Sequence, residues 1–195
     1  MCDLSGPYEI DDTCGGSGSF RRLFVMTKTT WNAATKTLGT GATREQITAI
    51  TGLPTSSVHE IEIDEDGATN SFEAAPSDGQ VTNYTQTVTA TRVGVGLTNN
   101  QLSADLQKCC KLVLVAQLRN ATDEWIVVGV NKPAASSTVF SPNGIQAKTT
   151  HNTGAAVGDV PTTTYVFAQQ SPKSDNAFLS LSTAAATAVI AALVP

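Results

Sequence analysis

From Thr85 to Thr91 every second residue is a threonine, inside the longer segment Gln80-Val-Thr-Asn-Tyr-Thr-Gln-Thr-Val-Thr-Ala-Thr-Arg-Val93. In an extended strand successive side chains point to opposite faces. Thr85, Thr87, Thr89 and Thr91 therefore share one face, and Tyr84, Gln86, Val88 and Ala90 share the other. Threonine suits a strand because its branched Cβ packs well on a pleated surface. A strand covered on both faces would read as a continuous apolar run. This one does not, so it belongs to a sheet with one dry face and one wet face. Such a sheet suits architectures that line a pore or a ring.

The residues after this strand extend the pattern. Gly94-Val-Gly96 leads into the amphipathic stretch Asn99 to Lys111, whose inward side carries Leu102, Leu106, Cys109 and Cys110. Two apolar runs follow, Leu112 to Leu118 and Trp125 to Val130, split by the polar turn Arg119 to Glu124. The order is strand, helix, β-hairpin. A glycine pair between strand and helix also occurs in dinucleotide-binding folds, but the third glycine of that fingerprint falls on Asn99. With a threonine-laden strand before it and an antiparallel pair after it, the nucleotide reading fails. The glycines serve a tight strand-to-helix turn.

Elsewhere, Phe20 to Met26 reads as a strand, and Thr27 to Ala42, which contains Trp31, as a connector. Thr43 to Pro54 is either a short capped helix or a strand over Gln46 to Thr51, and periodicity does not decide between them. Ser57 to Asp64 alternates. Asp66-Gly67 is the strongest hairpin signal in the chain, and Ala68 to Glu73 returns from it. Ala74 to Gly79 is a further turn. Lys132 to Gly158 reads as a long loop or insertion, with a short strand at Thr138 to Phe140. Pro161 to Ala168 is a last strand. Ser174 or Asp175 is placed to cap a closing alanine-rich helix. The expectation is one domain over 1–195: a leader at 1–19, the excursion at 132–158 and a helical tail at 174–195. The class is mainly β (α+β), a sandwich or split barrel of antiparallel strands flanked by one central helix.

Composition narrows the function. Charged residues make up 15% of the 195, well below the usual quarter, and the formal net charge is −5. The only close basic pair is Arg21-Arg22, so the patch that nucleic-acid recognition needs is missing. The four cysteines, Cys2, Cys14, Cys109 and Cys110, form no C-x-x-C pair. Cys109 and Cys110 read as small buried hydrophobes in a reduced chain, and a Cys2–Cys14 bridge is the less favoured alternative. His59 and His151 have no local catalytic partners. No phosphate loop, nucleophile elbow, metal-ligand spacing or calcium loop is present. No catalytic residue, cofactor or metal is expected. Phe178 to Val194 is too short and too hydroxylated for a membrane span, and the opening Met1-Cys-Asp-Leu4 has neither the basic start nor the apolar segment expected of a signal peptide.

The order and texture of three stretches resemble the major tail (tube) proteins of long-tailed bacteriophages. They are the leader Cys2-Asp-Leu…Cys14-Gly-Gly-Ser-Gly18 running into Phe20 to Val25; Ser71-Phe-Glu…Ser77-Asp-Gly-Gln-Val-Thr-Asn-Tyr-Thr-Gln-Thr-Val-Thr89; and the helix around Leu102 and Leu106 with the hairpin Leu112 to Ala116 and Trp125 to Val130. The resemblance implies a β-sandwich flanked by a helix, assembled into hexameric rings. Stacked rings would form a tube around a tape-measure protein and later conduct genomic DNA. It implies a virion-tail location, with assembly in the host cytoplasm. Thr85, Thr87, Thr89 and Thr91 become candidates for the lumen. Asp64, Glu65, Asp66 and Trp31 become candidates for contacts between rings. The other classes open to such a chain are a tail terminator, decoration or fibre module, and a secreted β-sandwich binding module.

Overall fold

The computed structural model describes residues 20–40, 46–61, 63, 69–76, 82–109, 111–118, 124–130, 144–154, 156, 158–170 and 179–193. In chain order the elements are β1 (Phe20–Thr27), α1 (Lys28–Ala33), β2 (Thr35–Leu38), β3 (Gln46–Thr51), β4 (His59–Ile61), β5 (Thr69–Pro76) and β6 (Thr82–Val93). They continue with α2 (Leu97–Lys108), β7 (Leu112–Leu118), β8 (Trp125–Val128), β9 (Gln146–Asn152), β10 (Thr162–Gln170), β11 (Leu179–Leu181) and α3 (Thr183–Ala191). The fold is mainly β (α+β), as the sequence predicts; among the described residues there are three helices, of which α1 is not expected from the sequence.

The strands form two sheets. One has seven strands in the order β2-β3-β11-β8-β7-β1-β4, the other four in the order β5-β6-β10-β9. Neighbours are antiparallel except β3 and β11, which run parallel. The apolar runs occupy the middle of the larger sheet because it is covered on both sides. Leu112 to Gln117 of β7 and all of β8 are buried. Alternation then sorts their side chains into two cores. Leu23, Val25, Leu114 and Ala116 pack toward the smaller sheet with Val88, Tyr165 and Phe167, joined by Leu102 and Leu106 of α2. Phe24, Met26, Val113 and Val115 pack on the other side with Trp31 of α1 and Ala185, Ala186 and Val189 of α3. Each Val, Leu, Phe or Met among them contributes about 1.5–3 kcal/mol on full burial.

Local chemistry sets the helix ends. Thr27 Oγ1 accepts from the Thr30 amide at 3.1 Å and starts α1. Ser182 Oγ accepts from the Ala185 amide at 3.2 Å and starts α3. The cap expected at Ser174 or Asp175 is therefore supplied later, after β11. Those two residues lie outside the described portion. The end of α3 is tied down: the Ser57 and Val58 amides both donate to Ala192 O at 3.1 Å. At Gly129, with φ +93, a Cβ would stand 2.6 Å from Ile145 Cγ1 and 3.1 Å from Leu112 O. Glycine there lets residue 145 bridge to Leu112.

Several expectations change. Gln46 to Thr51 is a strand, not a helix. The connector Thr27 to Ala42 holds α1 and β2. The Asp66-Gly67 signal does not join paired strands, because β4 pairs with β1 while β5 pairs with β6 in the other sheet. Asp66 and Gly67 themselves lie outside the described residues. Part of the 132–158 excursion is β9, which runs beside β10 from Ala168↔Gln146 to Thr162↔Asn152. The strand expected at Thr138 to Phe140 lies outside the described residues. Cys109, at the end of α2, is 2% exposed and disulfide-bonded, which corrects the expectation of a buried thiol. The other three cysteines lie outside the described residues.

Candidate functional site on the four-stranded sheet

The outer face of the smaller sheet is built in rows by strand register. Thr91 stands opposite Thr164, and Thr164 opposite Thr150. The next rows are Thr89, Val166, Lys148 and Thr87, Ala168, Gln146. At the backbone level Thr69 and Ser71 of β5 extend the last two rows, opposite Thr89 and Thr87. The Thr91 and Thr164 hydroxyls meet at 3.3 Å. Thr87, Thr89, Thr91 and Thr164 are half-buried, while Gln146, Lys148 and Thr150 are exposed. Lys148 is the one charged group among the described side chains of this face. The described part of this face is thus short, hydroxylated and almost uncharged. The side chain of Thr85 lies outside the described portion.

The opposite face is dry but not wholly apolar. Val88, Ala90 and Arg92 of β6 and Thr163, Tyr165 and Phe167 of β10 are buried. Arg92, Thr163 and His151 occupy one row. Thr163 Oγ1 donates to Gly94 O at 2.8 Å, which leaves its lone pairs facing His151 Nδ1 at 3.1 Å. Asn99 Nδ2 also donates to Gly94 O at 2.8 Å, and Ser103 Oγ donates to Asn99 O at 2.6 Å. Burial pushes the Tyr165 phenol above its ordinary range, and the nearby Arg92 and Ser103 oppose that shift. These groups pin the turn from β6 into α2 against the sheet. Thr163 is fully buried, so it is closed to a substrate and acts as a positioning residue.

The candidates for contacts between rings fare differently. Trp31 is wholly buried in the core beneath α1, which removes it as a surface contact. Its short helix points the ring inward, and Lys36 closes over it with Nζ 5.1 Å from the ring centroid. Lys36 also donates to the carbonyls of Trp31 and Ala34. Asp64, Glu65 and Asp66 lie outside the described residues. Among the described residues no group of three or more His, Cys, Asp or Glu could hold a metal ion, and no helix is long and apolar enough to cross a membrane.

The buried polar layer around Arg92 escaped the sequence reading. Its signal was the parity of the strand: Arg92 follows Val88 and Ala90 at alternate positions, which places it on the dry face. No protein-family model, curated protein or solved structure matches this chain.

Proposed function

We propose that this chain is a structural protein that assembles with its own copies into stacked rings, forming the tail tube of a long-tailed bacteriophage. The observation that supports this is the outer face of the four-stranded sheet. A wet, hydroxylated, nearly uncharged surface on a well-packed sheet suits the wall of an aqueous conduit better than a substrate pocket. The net charge of −5 is consistent with passage of DNA without capture, since like charge repels phosphate. In this reading the face bearing Thr87, Thr89 and Thr91 meets the lumen. The partners are further copies of the chain, a tape-measure protein and tail-end proteins. The chain is not an enzyme.

A second reading has one observation in its favour. The Cys109 disulfide fits a secreted β-sandwich binding module, because disulfides persist in oxidising surroundings. Virion surfaces are also such surroundings, so the bridge fits both. Self-assembly separates them.

The lumen assignment is tested with the double variant Thr89→Arg, Thr91→Arg. Assembled variant tubes are expected to retain short duplex DNA in a nuclease-protected form that wild-type tubes do not hold. Retention should fall by roughly 10³-fold or more between about 50 and 200 mM salt. Retained DNA that nuclease digests freely would put this face on the outside of the assembly.

A further inference from the structure

Three large hydrophobic side chains stand exposed among the described residues: Val93 at 48%, Leu97 at 74% and Val160 at 59%. All three lie at one end of the small sheet. Val93 closes β6 opposite Thr162, two residues beyond Val160. Leu97 opens α2 directly after the turn. The Gly94 amide donates to Pro161 O at 2.6 Å and ties the two chain segments together.

The tip is pre-formed. Gly94 O accepts from both Asn99 and Thr163, each at 2.8 Å. On the β10 side, Asp159 Oδ2 accepts from the Ala156 amide at 2.8 Å and Asn152 Oδ1 from the Gly154 amide at 3.0 Å. A surface already held in shape loses little conformational freedom on docking.

We infer that this tip, centred on Leu97 with Val93 and Val160, is a contact between copies of this chain. Charge and size select that occupant. Residues 93 to 101 carry no charge, and residues 152 to 164 carry only Asp159. Chains of net charge −5 can approach one another here without placing like charges face to face. A nucleic acid or an anionic membrane would find no basic group to meet. Three side chains fall well short of the roughly 800 Å² per partner of a stable two-body interface. A contact this small is useful where many repeat in an ordered assembly and add their effects. The assignment rests on the proposed tube, within which the tip would join successive rings.

Leu97→Glu tests it. Leu97 is the first residue of α2, where a carboxylate favours the helix dipole, so the fold should survive. Thermal unfolding checks that it does. Burying the carboxylate in a contact should raise the concentration needed for assembly by about tenfold or more. Wild-type tubes with variant single rings support both the contact and the tube. Variant tubes as long and as readily formed as wild-type tubes overturn the contact and leave the tube standing. Small wild-type oligomers that Leu97→Glu abolishes support the contact and contradict the tube. A wild-type protein that stays monomeric at high concentration overturns both.

Discussion

Trp31→Ala is expected to destabilise the fold by about 3–5 kcal/mol, the range for emptying a buried aromatic site. Trp31 is 0% exposed and packs in the core shared by Phe24, Met26, Val113, Val115 and the α3 alanines. It is the only buried residue of α1, which is six residues long and cannot stand on propensity alone. Losing the ring removes the reason for the helix to dock and the surface over which Lys36 sits. For a chain of this size the midpoint of thermal unfolding should fall by roughly 6–20 °C, at about 2–4 °C per kcal/mol. Trp31→Phe is the informative control. The indole Nε1 is buried with no hydrogen-bond partner among the described residues. Phenylalanine keeps most of the packing and removes that orphaned donor, whose burial costs about 1–3 kcal/mol. It should therefore lose much less stability than alanine. Equal losses for the two variants would show that the site depends on the indole itself.

Cys109→Ala should cost about 2–5 kcal/mol, the usual range for removing a native disulfide. The residue ends α2, is 2% exposed and lies in the core between the sheets with Leu102, Leu106 and Leu112. Calorimetry with and without reductant checks this: wild-type protein should melt lower when reduced, and the difference should be smaller for Cys109→Ala. Intact mass under non-reducing conditions should show the loss of two hydrogens per bridge. A wild-type melting point indifferent to reductant, with an accessible bond, would remove the bridge from the account of stability.

The sheet faces were legible because a strand's parity is local. The threonines of β6, the apolar runs of β7 and β8, and the Leu102–Leu106 stripe of α2 each announce their burial within a few residues. Features that depend on distant partners were not legible. Gln146 to Asn152 is a polar run with no apolar alternation, and it is a strand because β10 offers it a ladder. Leu179-Ser-Leu181 carries nothing that foretells a parallel partner at β3. Asp66-Gly67 signals a turn, yet a turn does not say which strand its exit will pair with. Trp31 lies among Lys28, Thr29, Thr30 and Asn32, which read as surface, and only the packed sheet beneath explains its burial. For the candidate site, the wet face could be read from β6 alone. Its completion by β10 and β9 required the register. The exposed tip at Val93, Leu97 and Val160 joins residues more than sixty positions apart.

The central claim is self-assembly into a hollow conduit, and negative-stain microscopy of the purified, concentrated protein tests it most directly. The account predicts hollow rings or long open tubes whose number grows with protein concentration. A field of uniform monomers at high concentration, with the fold intact by thermal unfolding, would contradict it.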